Sequence, residues 1–463
     1  MRQGVGRALL LLALAWSGLA VAQEDANLAL IPPDSQSPPK LRGSRSGQNI
    51  YLENALTAAS LRDDLPVPAQ PSYDWQERLL LDVRDAWEVG RTTRLVLSDR
   101  LNLRAESDLS FPGHGNVVND LREAYVESRL AEQTYLAWGR INLKSGIALG
   151  YNPTDYFKAR TVSEPLSADP SVLREDRLGT VMLRLQHIWR GGSLTLAFAP
   201  RLRRQSPIYS NTELPSFDPA LGRTNSDDRF LLKSTIDLSR DLSPEVLLYH
   251  DGHGTRVGAN LSLTLGQSVV AYVEESVAKR RNLIGEALDF GRATGALPAG
   301  APDEPPAAPG KSLENELAVG ASYTTASRIT WNLEYHLNQA GFTSQDWNRW
   351  FATGTDPGTP PALANELWYT RAYAVDQQEQ STEQAAFVRA DWTDAFGLNL
   401  ELSGFVNVDL GDGSGQAQAE ADYYLSNAWT LGLLAAGDFG SPRSDFGSLP
   451  TSYSVLVSVR RYF

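Results

Sequence analysis

Apolar and polar side chains alternate along most of the chain in short runs. In 328–338, Ile329, Trp331, Leu333, Tyr335 and Leu337 share one face, and Arg328, Thr330, Asn332, Glu334, His336 and Asn338 share the other. In 255–265, Val257, Ala259, Leu261, Leu263 and Leu265 oppose Arg256, Asn260, Ser262 and Thr264. The runs 193–203 and 398–410 read the same way, the first with Leu194, Leu196, Phe198 and Leu202 outward and Arg201 and Arg203 inward. A period of two is the signature of a strand with one apolar and one wet face. Each run is close to the roughly 9–11 residues that a tilted strand needs to cross a bilayer. The pattern predicts eighteen strands, at roughly 49–58, 76–88, 92–105, 118–130, 134–143, 179–189, 193–203, 228–238, 244–250, 255–265, 267–277, 316–325, 328–338, 384–393, 398–410, 415–425, 428–439 and 451–463.

The connections sort by length. Long ones (144–178, 204–227, 278–315, 339–383, 440–450) alternate with tight ones such as Val89-Gly90-Arg91, Arg190-Gly191-Gly192 and Ser426-Asn427. All the long ones then fall at one end of the strands, the arrangement of a transmembrane barrel. A soluble sandwich has no reason to alternate loop lengths so regularly. The expected fold class is therefore all-β, a transmembrane antiparallel β-barrel of about 18 strands. The final strand puts Tyr453, Val455, Val457, Val459 and Phe463 on one face. That segment resembles the C-terminal signal of Gram-negative outer-membrane barrels, in which Tyr453, Val457, Val459 and Phe463 would serve assembly. It departs from that signal at Arg461, where an apolar outward residue is usual. The resemblance puts the short turns in the periplasm and the long loops outside the cell.

At the other end, Arg2 and Arg7 precede the apolar run Ala8 to Ala15, and Ala20-Val21-Ala22 supplies a cleavage site, so residues 1–22 are expected to be a secretory signal peptide. Residues 23–45, with Pro32-Pro33 and Pro38-Pro39, read as a disordered periplasmic leader, and 46–463 as the barrel. No apolar stretch is long enough for a membrane helix. A mean hydropathy of −0.30 suits a barrel whose every second residue faces a wet lumen. With no cysteine there is no disulfide framework. A net charge of −13 disfavours nucleic acid. Two outward acids, Asp99 among Leu95, Leu97, Leu101 and Leu103, and Glu275 beside Val273, break the apolar face.

Inward charges are unevenly placed. Early strands contribute Arg94, Arg100, Arg104, Arg140, Lys144, Arg184, Arg201 and Arg203, and late strands contribute Glu316, Glu334, Glu401, Asp409 and Glu420. Such walls either line a pore and select permeants by charge or pair with one another and fill the interior. The connection 144–178 joins the fifth and sixth predicted strands, and this arrangement resembles general diffusion porins, in which that connection folds inward and narrows the pore. Here it carries Asn152, Asp155, Lys158 and Arg160 among Tyr151, Tyr156 and Phe157. Gly139-Arg140, a following Gly and Asn152-Pro153-Thr154-Asp155 also resemble a motif of poorly characterised proteobacterial porin-like barrels, with Ser145 where an aromatic is common. The resemblance implies an outer-membrane transport family and names no substrate; the expected function is a channel in the cell outer membrane for passive diffusion or export of small hydrophilic or anionic solutes. Its partners would be outer-membrane lipid and lipopolysaccharide, the barrel-assembly machinery and periplasmic chaperones.

The alternatives are a receptor or structural barrel without an open pore, or an enzyme barrel. Neither cofactor nor metal is expected. His250-Asp251-Gly252-His253 lacks a fourth ligand nearby and reads as a solvated turn. His336 beside Glu334 has no assignable nucleophile and reads as lumen lining. Ser344 to Phe351 and Ala362 to Ala374 carry helix-like patterning inside the longest connection, with Trp347, Trp350 and Trp368 to pack or to stack on sugars.

Overall fold

The computed structural model describes residues 49–69, 73–107, 116–163, 167–208, 217–239, 241–300 and 303–463. The expected signal peptide and leader lie outside these residues. Among them, eighteen strands form one closed antiparallel sheet. They are β1 Asn49–Leu61, β2 Trp75–Val89, β3 Thr93–Glu106, β4 Val117–Ala131, β5 Thr134–Ile141 and β6 Thr180–Trp189. Next come β7 Gly192–Ala199, β8 Arg229–Ile236, β9 Glu245–His250, β10 Thr255–Leu265, β11 Val269–Arg280 and β12 Ser312–Thr324. The last six are β13 Ile329–Asn338, β14 Gln384–Trp392, β15 Leu400–Asp409, β16 Gly415–Ser426, β17 Trp429–Phe439 and β18 Thr451–Tyr462. All eighteen expected strands are present, and each pairs with its neighbours in sequence.

Closure comes from β1 and β18, in a register that sets Tyr51 opposite Tyr462 and Leu56 opposite Val457. The Phe463 N–H donates to the Ile50 carbonyl at 3.0 Å, so pairing runs to the last residue. No edge is left to seek another chain. The alternating faces land as the pattern requires. Trp331, Leu333 and Tyr335 point outward and are exposed, whereas Asn332, Glu334 and His336 are buried in the lumen. Tyr453, Val457, Val459 and Phe463 all lie on the outer face. The Arg461 guanidinium lies over the Trp429 and Phe463 rings, 5.0 and 5.4 Å from their centroids, so the departure from an apolar residue is absorbed by aromatic faces.

Two details differ from the simple alternation. β7 stops at Ala199 because Pro200 offers no N–H to the ladder. Arg201 and Arg203 therefore sit beyond the strand on an exposed segment, not on the lumen wall, with Arg203 3.3 Å from Asp218. In the β3–β4 pair a bulge falls between Ser98 and Asp99. It brings both Arg122 and Glu123 to the lumen side and shifts the phase of the rest of β4. The outward Asp99 takes a hydrogen bond from Asn119 Nδ2 at 2.9 Å, which offsets part of the cost of a polar group on that face. Glu275 is outward and exposed.

The rims differ as expected. One carries turns such as 90–92, 132–133 and 190–191. Among the described residues the other carries three long helices: α1 Leu283–Thr294 in the β11–β12 connection, and α2 Ser344–Thr355 and α3 Pro361–Gln377 in the β13–β14 connection. Thr343 and Asp346 form a reciprocal cap that starts α2. The three helices bury Leu283, Ile284, Leu288, Trp347, Trp350, Phe351 and Leu367 in one apolar cluster with Val67. The tryptophans thus pack: Trp350 Nε1–H donates to the Leu367 carbonyl at 2.9 Å. Arg371 lies among the rings of Trp347, Trp350 and Trp368, at 5.1, 5.4 and 5.0 Å, and is bound to Asp445 at 2.6 Å. This cap therefore sits on the rim as one packed unit.

Candidate functional site: the lumen and its inward connection

The β5–β6 connection, residues 142–179, enters the lumen and is fastened to the wall on several sides. It starts inward because Ile141 ends a short β5 and Gly146 takes a left-handed conformation, φ 78°. On the β11–β13 wall, Glu274 accepts from the Ile147 and Ala148 N–H groups. Glu334 accepts from the Leu149 and Gly150 N–H groups at 2.7 and 2.9 Å. Tyr151 donates its hydroxyl to Glu316 at 2.9 Å. Farther round, Arg389 on β14 binds Asp169 at 2.8 Å, and Gln418 on β16 donates to Ser167 at 2.6 Å. On the opposite wall, Arg100 and Arg122 each bind Asp82 and Asp176 at 2.6 to 2.8 Å. Asp176 directly follows a short helix, Pro170–Glu175, capped by Asp169.

Inside the connection, Arg177 is the central tie. Its guanidinium donates to Asp155 at 2.7 and 3.1 Å, to Asn142 at 2.6 Å and to the Leu143 carbonyl at 2.8 Å. Both Arg177 and Asp155 are 2% exposed. Burial alone would push the Asp155 carboxyl up, but Arg177, Arg174 and Lys158 outweigh it and hold the group below the usual carboxylate range. Asp176 is held low in the same way by Arg100 and Arg122. Burial pushes the Lys158 ammonium below its usual value, against the pull of Glu316, Glu379 and Asp155. Lys158 lies over the Tyr151 ring at 4.5 Å and donates to the Asn152 carbonyl at 2.6 Å. Arg160 reaches up to the cap, binding Asp376 at 2.8 Å. Asn152, Asp155, Lys158 and Arg160 are thus all buried parts of the connection's own framework.

The other inward groups divide. Arg100, Arg104 and Arg140 are buried, Arg100 in the four-charge cluster above and Arg140 donating to the Pro219 carbonyl. Glu316 is enclosed by Arg256 and Arg280 at 3.0 and 2.8 Å. Glu401 accepts from the Tyr424 hydroxyl at 2.7 Å, Asp409 accepts from the Gly411 N–H at 2.6 Å, and Glu420 lies half-buried on β16 opposite Ser403. Arg94 is half-exposed near the short-turn rim, 3.8 Å from Glu88.

Lys144 and Arg184 behave differently from the buried arginines. With Arg84, Lys233, Glu123, Tyr125, Asn142, Leu143, Gln186 and Thr195 they line a cavity of about 360 Å³. It lies toward the short-turn rim. Its lining holds four cations against one carboxylate. Lys144 pairs with Glu175, Arg184 with Glu127, and Lys233 with Glu245 at 3.2 Å. Arg84 is the loosest, half-exposed and 3.8 and 4.0 Å from Glu123 and Glu175.

Alternation of β11 places Glu274 inward, but nothing in the sequence brings it against residues 147 and 148. Arg177 and Asp176 carry no periodic signal. His336 donates to Glu334 at 2.7 Å and packs against Tyr151 and Phe387. His250 to Gly254 form a turn in which Asp251 accepts from the His253 and Gly254 N–H groups at 2.8 and 3.0 Å.

No family model matches the chain, and neither does any curated protein. Solved structures do. Pseudomonas aeruginosa OccK11 (OpdR) matches with 13% identity and a TM-score of 0.50, over 90% of this chain and 96% of that one. The outer-membrane protein OpdK of Pseudomonas aeruginosa, also solved with vanillate, matches with 10 to 11% identity, a TM-score of 0.50, and 90% and 98% coverage. Acinetobacter baumannii OccAB4 matches with 9% identity, a TM-score of 0.50, and 92% and 99% coverage. At these identities the likeness is one of fold, and the fold is the porin-type barrel of Gram-negative outer membranes.

Proposed function

We propose that this barrel is an outer-membrane channel through which small hydrophilic solutes, anions among them, diffuse passively. The observation that carries the reading is the inward connection 142–179. Fastened across the lumen, it leaves beside it a polar cavity of about 360 Å³ lined by Arg84, Lys144, Arg184 and Lys233. A structural barrel has no need of a roomy, charge-lined space next to an anchored constriction. An enzyme needs an available acid, base or nucleophile, whereas Glu334 is occupied in holding the Leu149 and Gly150 N–H groups and His336 is bonded to Glu334. The fold neighbours are outer-membrane porins, and one was solved with vanillate, a small carboxylate. In this reading the outer face meets lipid and lipopolysaccharide. The β18 edge that closes on β1 is the segment delivered by periplasmic chaperones to the assembly machinery.

Charge selectivity tests the reading. The basic groups facing the cavity raise the local anion concentration, and the effect fades as salt screens it over about 10 Å at 0.1 M. Replacing Arg84 and Lys233 together by Gln is expected to move the reversal potential under a KCl gradient toward cation preference, more in dilute salt than at about 1 M. An unchanged reversal potential in a conducting protein would remove this cavity from the permeation path. The rims provide a second check, made clean by the absence of native cysteine. Lys311→Cys, on the long-loop rim, is expected to react with an impermeant maleimide on whole cells, and Ala131→Cys, at a short turn, is not.

A further inference from the structure

Four consecutive N–H groups of the inward connection, those of residues 147–150, all point at two wall carboxylates. β12, between the strands that carry them, presents only Ala318 and Gly320 at these rows. A Cβ at Gly320 would come within 2.7 to 2.8 Å of Tyr272 and Glu334, so the bare Gly320 gives those two side chains the room to meet. Buried N–H groups need an acceptor, and a charged acceptor binds them about twice as strongly as a neutral one.

The two carboxylates are held unequally. Glu334 has two further donors, the Tyr272 hydroxyl at 2.6 Å and His336 Nε2 at 2.7 Å. Glu274 has Ile147, Ala148 and the Thr154 hydroxyl at 3.1 Å, all of them uncharged. Among the described residues neither Lys nor Arg forms an ion pair with either group. The charged neighbours are engaged elsewhere. Arg174 donates to the Ser145 and Gly146 carbonyls at 2.9 Å, and Glu316 on β12 is taken by Arg256 and Arg280. In the connection, Lys158 donates to the Asn152 carbonyl, Asp155 binds Arg177, and the Tyr156 hydroxyl donates to Ser276. Opposite Glu274 on β10 stands the neutral Asn260. Glu274 therefore holds the arm through uncharged donors alone, with Glu334 nearby and the Arg174 charge shared with Asp155 and two backbone carbonyls.

We propose that Glu274 is an acid-sensitive latch of the constriction. Deprotonated, it holds residues 147 and 148 against the wall. Protonated, it lets that arm go, while Glu334 with Tyr272 and His336 keeps residues 149 and 150 in place as the hinge. The freed arm runs directly into Asn142, Leu143 and Lys144, which line the cavity, so release widens the passage there. Asp155 and Asp176, held below the usual carboxylate range, stay charged under mild acid and do not share in the release.

The conductance consequence rests on the channel reading, but the latch itself is read from amide exchange in the purified barrel. Between about pH 8 and about pH 5, spanning the approach to the ordinary carboxylate range, protection of the Ile147 and Ala148 amides, corrected for the intrinsic rate, is expected to fall about tenfold or more. Protection of Leu149 and Gly150 is expected to hold. Glu274→Gln, neutral at every pH, is expected to show low protection and the higher conductance throughout. Ala148→Cys with Ala318→Cys, two buried positions in one packed cluster, should tether the arm and abolish the acid response until reductant is added. A wild type with unchanged protection across the range, or a Glu274→Gln variant that keeps the wild-type acid step, would overturn the latch. Amide changes as expected in a protein that never conducts would instead leave the latch standing and remove the channel reading.

Discussion

Excising residues 146–163 and bridging the gap with a short Gly/Ser linker is expected to raise the conductance of the reconstituted barrel about threefold or more, since an eighteen-strand barrel is wide enough for an aqueous channel once its interior is cleared. The excised segment carries the groups that meet Glu274, Glu334 and Glu316 on one wall and Asp376 in the cap. It contributes no residue to the sheet. The β5–β6 pairing, from Thr134 opposite His187 to Ile141 opposite Thr180, stays intact, so the barrel should still assemble and resist heat in a gel. Removing the segment also loosens the cap from below, because Arg160 binds Asp376 and the Lys158 carbonyl and Thr161 hydroxyl accept from Gln378. Unchanged conductance in a well-folded variant would mean that the connection is not the narrowest part of the path.

The second large effect is expected at Arg177. Arg177→Met leaves Asp155 buried among weaker partners, and breaking a buried pair from one side costs about 3–5 kcal/mol. The loss should be local to the connection, since no strand pairing depends on the pair. Amide protection across 142–179 should fall steeply while the strands keep theirs. Adding Asp155→Asn should recover most of the loss, because the cost lies in the stranded charge and not in the absent contact. The pH dependence follows from the same pair. The folded-state Asp155 carboxyl lies below its unfolded value, so its contribution is fully present above about pH 4 and is lost as pH falls through the depressed value. In the Arg177→Met variant that acid-dependent loss should shrink. If the double variant is as loose as the single one, Arg177 acts through Asn142 and Leu143, and the charge pair is secondary.

The barrel was legible because each strand announces itself locally. Alternation over about ten residues gives the face, and turn residues such as Gly191 and Gly192 give the ends. Where local rules compete, the boundary moved: Pro200 ended β7 four residues before the apolar phase did, taking Arg201 and Arg203 off the wall. The charge partners were not legible. Asp82 meets Arg100 only because β2 and β3 pair in one register, and Arg100 meets Asp176 only because the β5–β6 connection returns to that wall. Arg122 joins them through a bulge that breaks the phase of β4. The period of β11 makes Glu274 an inward position, yet its role depends on backbone N–H groups, which every sequence carries and none advertises.

Single-channel recording of the wild-type protein in a planar bilayer, in about 1 M KCl, tests the central claim most directly, because the Debye length there is about 3 Å and charge effects are small beside pore dimensions. A constricted open channel predicts discrete, uniform conductance steps, smaller than those of the barrel excised over 146–163. A heat-modifiable, correctly assembled protein that yields no steps, with or without residues 146–163, would contradict it.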